Sequence, residues 1–314
     1  MKTEIFVMTH RAFDYPKILG YYPMQVGAAL HEDLGYLRDD VGDHISDLNP
    51  YYAELTGIYW LWKNYHAADI IGICHYRRYF INNDHYIMKP GEFEELLKDH
   101  DIIASFVENE QSREELQRAS IFRKDIDTVF ETMHSLYPED YQASRQLLSE
   151  EKGTYGNLMV MRKELFDEYC AWLFDILAEA GENIDLSVYD DFHRKFFGIV
   201  SEGMPGLYAR SRGLRIYDCK TALASEKAET TELKEKLRQL VREGAFAEGI
   251  GLYHDTLAKR PDLTFADADV LGELPKMLSV LERLQREKEA GAEELYARSR
   301  ELGELLAIVE DEAK

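Results

Sequence analysis

The chain has 314 residues, of which 59 are acidic and 37 are basic, giving a formal net charge of −22. A field of this sign repels phosphate backbones and excludes nucleic acid as an expected partner, although a local basic pocket can still hold one small anion. Hydrophobic residues make up 45% of the chain, enough for a sizeable core, and the length predicts two domains.

Apolar runs alternate with helical patterns over residues 1–224. The run at residues 5–9 ends at His10, the pattern of a buried strand that feeds a loop at its carboxyl end. Similar runs follow at residues 69–75, 101–106 and 158–161, and helical patterns lie at residues 50–65, 90–98 and 163–180. The alternation predicts an α/β domain with a mainly parallel sheet flanked by helices.

The segment at residues 49–64 reads as a helix with Asn49 as N-cap and Pro50 at the first helical position. Glu54 on this helix is a candidate ligand for sugar hydroxyls or a metal, and the alternative is a purely structural role. For Trp60 and Trp62 we favour packing against the sheet over stacking on a ligand, because such residues mostly supply buried area.

A cluster of cationic side chains follows the second apolar run. His75, Arg77 and Arg78 come directly after a predicted buried strand, where open α/β sheets bind their ligands. Arginine forks suit the oxygens of a diphosphate, and they stabilise it as a leaving group. The alternative is that these side chains point outward from a continuing strand and form surface salt bridges.

After Ala222 the composition changes to one rich in Lys, Glu, Leu and Ala, and strand-like runs stop. Amphipathic patterns predict helices at residues 232–243, 245–260, 267–285 and 293–310. We therefore predict domains at residues 1–224 and 225–314, the second all-α. Residues 240–261 carry one weak copy of a tetratricopeptide-like pattern, and a helical cap or a surface for self-association is the alternative.

Long strings in the first domain are similar to a known family. Residues 49–64 read NPYYAELTGIYWLWKN and residues 71–80 read IGICHYRRYF, with matching segments at residues 9–10, 25–28 and 155–177. Together these strings resemble the bacterial family catalogued as domain of unknown function 4422, found in capsular and exopolysaccharide gene sets. The resemblance covers about residues 1–220. It implies the GT-A fold of nucleotide-diphospho-sugar transferases and a glycosyltransferase activity.

The resemblance implies transfer of a sugar, with galactose or galactofuranose as candidates, from a UDP-sugar to a growing capsular, exopolysaccharide or O-antigen glycan. His10, His75, Arg77 and Arg78 would hold the diphosphate, while Glu54 and Asn157 would contact sugar hydroxyls. The chain departs from the family at Lys195, where an arginine is usual, and at Gly203, where a second arginine is usual. Lys195 keeps the charge for donor binding but lacks the bidentate fork.

Glycosyl transfer with inversion needs a group that takes the proton of the acceptor hydroxyl. The candidates are Asp191, with Asp190 and Glu202 as reserves. The alternative is that Asp190 or Asp191 caps the helix that follows it.

The Asp-x-Asp metal motif of many GT-A enzymes is missing after the second strand. The literal matches, at residues 125–127 and 267–269, fall in helical patterns, where carboxylates two residues apart diverge. We therefore assign no metal ligand, and the arginines are expected to supply the electrostatic stabilisation. Assistance by Mg²⁺ or Mn²⁺ through scattered carboxylates stays open.

Three separated cysteines, no basic leader and no run of ~20 apolar residues predict a cytoplasmic protein without a transmembrane segment. A lipid-linked acceptor would bring the protein to the inner face of the membrane, and the C-terminal helices would bind a protein partner or a second copy. A rival function is a non-catalytic nucleotide- or glycan-binding scaffold of polysaccharide assembly, favoured by Gly203 and the missing metal motif.

Overall fold

The computed structural model describes residues 1–108, 123–142, 152–190, 193–264 and 268–291. Its internal contacts divide the chain into a first unit, Met1–Ala222, and a second unit, Leu223–Lys314. The division lies close to the change in composition after Ala222.

Nine strands in the described part of the chain form one mixed sheet. They are β1 (Thr3–Thr9), β2 (Tyr21–Gln25), β3 (Leu37–Arg38), β4 (Ile70–His75), β5 (Arg78–Phe80), β6 (Ile102–Glu108), β7 (Lys152–Arg162), β8 (Ile216–Asp218) and β9 (Thr221–Leu223). The four apolar runs of the sequence correspond to β1, β4, β6 and the second half of β7.

The main path of the sheet has the order β3-β2-β1-β4-β7-β6-β8. Strands β3, β2, β1 and β4 are mutually parallel, and β8 is parallel to β6. Strand β7 is antiparallel to both β4 and β6. The predicted mainly parallel α/β sheet is therefore confirmed, with β7 as a reversed strand whose first half reaches the edge where β1 and β4 end.

Helices of the first unit cover both faces of this sheet. They are α1 (Asn49–Tyr52), α2 (Leu55–Asn64), α3 (Pro90–Leu96), α4 (Arg123–Leu136), α5 (Lys163–Gly181), α6 (Phe196–Ser201) and α7 (Met204–Ser211). Successive side chains of β1 point to opposite faces. Phe6 and Met8 join the core under α2 and α5, whereas Ile5 and Val7 join the core under α3.

The helix predicted at residues 50–65 is interrupted. Ala53 has φ 47° and separates α1 from α2, a left-handed conformation that a non-glycine residue adopts only under constraint. Asn49 is the first residue of α1 rather than its N-cap, and its Nδ2 donates to the Ala53 carbonyl at 2.7 Å. The predicted cap was wrong because this amide stabilises the break within the segment and not its start.

The second unit contains α8 (Ala228–Glu243), α9 (Phe246–Lys259) and α10 (Leu274–Glu289). These confirm three of the predicted helices, although α10 starts after the predicted residue 267. Leu233, Leu237, Phe246 and Leu281 form the centre of their shared core. The helix predicted at residues 293–310 lies outside the described residues.

A buried lysine joins the helices of the second unit. The Nζ atom of Lys234 lies 2.6 Å from Glu226, 2.7 Å from Asp269 and 2.7 Å from Glu273, and the lysine side chain is 1% exposed. Burial alone would lower the pKa of Lys234, but the hydrogen bonds to Asp269, Glu226 and Glu273 outweigh it and raise that pKa. We call these four residues the Lys234 cluster.

The three cysteines, Cys74, Cys170 and Cys219, are free and buried, as expected from their apolar neighbours. Among the described helices, none combines the length and the apolar character that a membrane span requires.

Candidate functional site

The ends of three neighbouring strands place the predicted ligand residues at one edge of the sheet. In the register of β1 with β4, Met8 lies opposite His75, and Thr9 lies opposite Gln25 of β2. Strand β5 turns back against β4, so that Arg78 pairs with His75. His75 and the start of the His10 segment therefore meet at the carboxyl edge, where ligands bind in α/β sheets.

A bulge in β7 enters the same edge. Ala104 of β6 pairs with Met159, but Phe106 pairs with Thr154, so a single β6 residue faces residues 155–158 of β7. Within this bulge, Gly156 has φ 74° and Asn157 has φ 53°. The left-handed turn aims the Asn157 side chain across the end of β4, consistent with the use of bulges to redirect side chains next to active sites.

Glu54, His75 and Asn157 form one polar group, which we call the Glu54 cluster. Asn157 Nδ2 donates to Glu54 Oε1 at 2.7 Å, and the same carboxylate oxygen lies 3.7 Å from His75 Nε2. Asn157 Nδ2 also lies 3.0 Å from Ser201 Oγ and 3.2 Å from the Gly198 carbonyl. The residue before α2 is thus joined to β4 and β7. Ala53, next to Glu54, and Asn157 itself are two strained backbone positions at this contact.

His75 is set up as a neutral imidazole. Its Nε2 atom is buried and has no hydrogen-bond partner among the described residues, although 24% of the side-chain surface is exposed. Burial lowers the pKa of His75; Glu54 acts in the opposite direction, and Arg78 and Arg77 lower the pKa further. The net effect is a pKa below the usual value, so the ring is uncharged at neutral pH.

The predicted cation cluster lies beside the Glu54 cluster. The Arg78 side chain is turned into the protein and is buried, with its guanidinium carbon 4.6 Å from the centre of the Tyr155 ring. Arg77 is half-buried, 5.8 Å from the centre of the Tyr76 ring, and the exposed His10 ring lies 5.6 Å from the same tyrosine. Tyrosine rings therefore contact both guanidiniums, in the manner of cation–π pairs.

The remaining predicted residues are spread over the segment that precedes α7. Glu202 accepts a hydrogen bond from the Gly156 backbone amide at 3.3 Å, which brings it beside the bulge. Lys195 is exposed at the start of α6. The exposed carboxylate of Asp190 accepts from the backbone amide of His193 at 2.8 Å, the capping contact that was the alternative to a catalytic role. Asp191 lies outside the described residues.

The two Asp-x-Asp strings have structural tasks in the described residues. Asp125 lies on α4, is buried and accepts a hydrogen bond from the Tyr189 hydroxyl. Asp269 belongs to the Lys234 cluster, whose three carboxylates converge on the lysine ammonium, and Asp267 lies outside the described residues.

Sequence reasoning missed two residues that shape the site. Ser201 hydrogen-bonds to Asn157, and its only signal was a polar residue at the end of the apolar run at residues 196–201. Ala53 gave no signal, because alanine is the best helix former and its left-handed conformation opposes that propensity. Trp60 and Trp62 pack as preferred: Trp60 Nε1 donates to the Val41 carbonyl, and Trp62 stacks on Phe174.

Asn157 offers a test of the bulge. Asn157→Ala removes the donor to Glu54 and places a Cβ-bearing residue without a local hydrogen bond in the left-handed region. We expect a loss of about 2 to 3 kcal/mol in the free energy of unfolding. Asn157→Gly loses the same hydrogen bonds but removes the strain, so its loss is expected to be about 1 kcal/mol smaller. Urea unfolding followed by tryptophan fluorescence measures both, and an alanine variant as stable as the glycine variant would contradict the left-handed assignment.

Comparison with known proteins gives one family and one solved structure. The family model described as domain of unknown function DUF4422 matches residues 4–213. The apo structure of the WbbM bifunctional glycosyltransferase is similar, with a TM-score of 0.63 and 24% sequence identity, over 72% of this chain and 46% of that chain. This chain therefore corresponds to less than half of the WbbM chain, and the likeness shows the fold. No curated protein matches the chain.

Proposed function

The chain belongs to the DUF4422 family, whose model covers residues 4–213, and from this premise we propose that it is a glycosyltransferase. Its reaction would move a sugar from a UDP-sugar to a growing capsular, exopolysaccharide or O-antigen glycan. Galactose and galactofuranose are the candidate sugars. One observation carries this proposal: Arg78 lies beside the Glu54 cluster at the carboxyl edge of the sheet, in a fold that is similar to that of a glycosyltransferase.

The proposed division of tasks follows the charges of the site. The side chains that would bind the diphosphate and stabilise it as it leaves are His10, Arg77, Arg78 and Lys195. His75 was predicted for the same set, and it would take part as a neutral imidazole. Glu54 and Asn157 would bind or position groups around the sugar ring. Pre-positioned donors at a developing negative charge are among the largest contributions to catalysis, and the tyrosine rings keep these guanidiniums in place.

One group must accept the proton of the acceptor hydroxyl. Asp191, Asp190 and Glu202 are the carboxylates predicted for this task, and they stay proposals. Among the described ones, Asp190 is engaged by His193, and Glu202 binds the Gly156 amide. We place the reaction in the cytoplasm, with a lipid-linked acceptor at the inner membrane face and a protein partner or second copy bound through the second unit.

UDP is expected to raise the thermal stability of the protein. A ligand that binds only the folded state stabilises it by about 2.7 kcal/mol at 100 times its dissociation constant. We expect the increase to follow the order UDP, UMP, uridine, since the cations bind the phosphates, and to shrink in Arg78→Lys. Differential scanning fluorimetry measures the shifts.

Turnover separates transfer from binding alone. Release of UDP from a panel of UDP-sugars, with and without Mn²⁺, should occur with at least one donor. Stabilisation by UDP without turnover of any donor in the presence of cell-derived glycan acceptor would support the non-catalytic scaffold instead. Equal stabilisation by uridine and UDP would contradict a diphosphate site.

A further inference from the structure

The Glu54 cluster has the connectivity of a proton-transfer relay. Asn157 holds the Glu54 carboxylate at 2.7 Å, and this carboxylate faces the buried Nε2 of His75 at 3.7 Å. Catalytic hydrogen bonds are often long before substrate binds and tighten in the complex. A carboxylate that orients a neutral imidazole, whose other nitrogen is left for chemistry, is the logic of the Ser-His-Asp triad.

The exposed part of His75 is the part that a base needs. Nε2 is buried against Glu54, and Nδ1 makes no hydrogen bond to the described residues, while 24% of the side chain remains accessible. Glu54 can only accept, so it favours the tautomer with the proton on Nε2 and a lone pair on Nδ1. The lone pair on Nδ1 is then the one that can accept a proton from a substrate.

We propose that His75 is the general base of the transfer reaction and that Glu54 and Asn157 are its positioning residues. This inference rests on the proposed function, and it moves His75 from the diphosphate-binding set to the acceptor side of the sugar. It also gives Glu54 a task other than contact with sugar hydroxyls. The three carboxylates predicted from the sequence are replaced in this role by a residue that the structure describes.

The transfer moves one proton to His75 and one electron pair to the leaving diphosphate. The acceptor hydroxyl gives its proton to Nδ1 of His75, and its oxygen forms a bond to the anomeric carbon of the donor. The bond between that carbon and the diphosphate oxygen breaks, and its electron pair leaves with UDP, whose charge Arg77 and Arg78 stabilise. The resulting imidazolium donates from Nε2 to Glu54 and later releases its proton to water.

The charged groups around His75 set a distinctive dependence on pH. Among the described residues, Glu54 just before α2 faces it, together with Arg77 in the turn before β5 and Arg78 at the start of β5. Burial and the arginines lower the pKa of His75. A base must be unprotonated, so kcat is expected to fall with decreasing pH only below about 6.5, the ordinary value. Glu54→Gln removes the anion that raises this pKa, so the acidic limb should move to lower pH.

The experiment measures UDP release by the full chain with an active UDP-sugar and acceptor, as a function of pH. His75→Gln is expected to lower kcat on the order of 100-fold or more, the usual contribution of general-base catalysis. Its thermal stabilisation by UDP should equal that of the wild type, which shows that the variant folds and binds. His66→Gln, at an exposed histidine in the connection between α2 and β4, is the matched control and should leave kcat unchanged.

Partial rescue of His75→Ala by added imidazole would support a chemical role, since a structural role would not respond. Two results would overturn the inference and leave the proposed function standing. One is a kcat of His75→Gln equal to that of an active wild type, and the other is an acidic limb of the pH profile that does not move in Glu54→Gln. Loss of turnover in Asp191→Asn with full turnover in His75→Gln would return the role of base to Asp191. No turnover by the wild type would overturn both.

Discussion

Replacing Arg78 by lysine is expected to lower UDP-sugar turnover on the order of 100-fold, the effect of removing one pre-positioned donor to a developing negative charge. The Arg78 guanidinium is buried against the Tyr155 ring and beside the bulge at Gly156. Lysine keeps the charge, but its ammonium cannot bind two phosphate oxygens with a planar fork while stacking on the ring. The loss should therefore be much larger than the unchanged net charge suggests.

Two further variants make the Arg78 prediction specific. Arg215→Lys is the control, because Arg215 is exposed and its guanidinium pairs only with Asp101 among the described residues, at 3.6 Å. Gly156→Ala keeps the arginine but puts a Cβ 2.8 Å from the Nη1 atom of Arg78, at a position where Gly156 has a φ of 74°. We expect Gly156→Ala to lower turnover as well, because the guanidinium must shift. Steady-state kinetics of the three variants measure this, and full turnover in Arg78→Lys would contradict the assignment.

Removing the central lysine of the Lys234 cluster is expected to destabilise the second unit strongly. Lys234→Met leaves the buried Asp269 carboxylate and the half-buried Glu226 carboxylate without this counter-ion, while Glu273 keeps its 3.7 Å pair with Arg238. Breaking a buried ion pair by removing one partner typically costs about 3 to 5 kcal/mol, because an uncompensated charge remains. Lys236→Met, at an exposed position on the same helix, should have little effect.

The distribution of tryptophans lets this loss be located. Trp60, Trp62 and Trp172 all lie in the first unit, so their fluorescence reports on that unit, whereas far-UV circular dichroism also follows α8 to α10. In Lys234→Met we expect the dichroism transition to move to lower urea while the fluorescence transition stays. Coincident shifts of both would contradict the proposal that residues 225–314 fold as a domain of their own.

Acid should lower the stability of the second unit, because it protonates the carboxylates of the Lys234 cluster. Burial alone would raise the pKa of Asp269, but the hydrogen bonds from Lys234 and from the backbone amides of Glu273 and Leu274 outweigh it and lower that pKa. A carboxyl group with a lowered pKa stabilises the fold above its unfolded value, about 3.9, and the contribution is lost as pH falls through the folded value. In the wild type, the urea concentration at the midpoint of the dichroism transition should therefore decrease as the pH is lowered below about 4.

Sequence patterns were sufficient where an element is long and buried on both faces. Strands β1 and β4 appear as near-continuous apolar runs, since both faces of the sheet are covered. Strand β3 has two residues, too few to show a period, and β2 is interrupted by the exposed Tyr22. The direction of β7 could not be predicted from the sequence either, because an apolar run carries no information about parallel or antiparallel pairing.

The site was partly predictable for a similar reason. The rule that ligands bind at strand ends located His75 and Arg78 at one edge without knowledge of the fold. The bond between Glu54 and Asn157 joins residues 103 positions apart and depends on two left-handed backbone conformations. Alanine gives no signal of such a conformation, and asparagine, although enriched in it, does not identify its partner. The connection between Glu54 and Asn157 therefore became visible only in three dimensions.

The bulge at residues 155–158 also bears on how relatives of this protein can diverge. Strands β6 and β7 pair on both sides of the bulge, through Phe106 and Thr154 before it and through Ala104 and Met159 after it. The register of each side is set separately. A residue gained or lost inside the bulge would leave both registers intact, whereas the same change at Val160 would turn half of a buried strand inside out. We expect natural length variation to concentrate there, where it changes the surroundings of the Glu54 cluster while the core keeps its sequence.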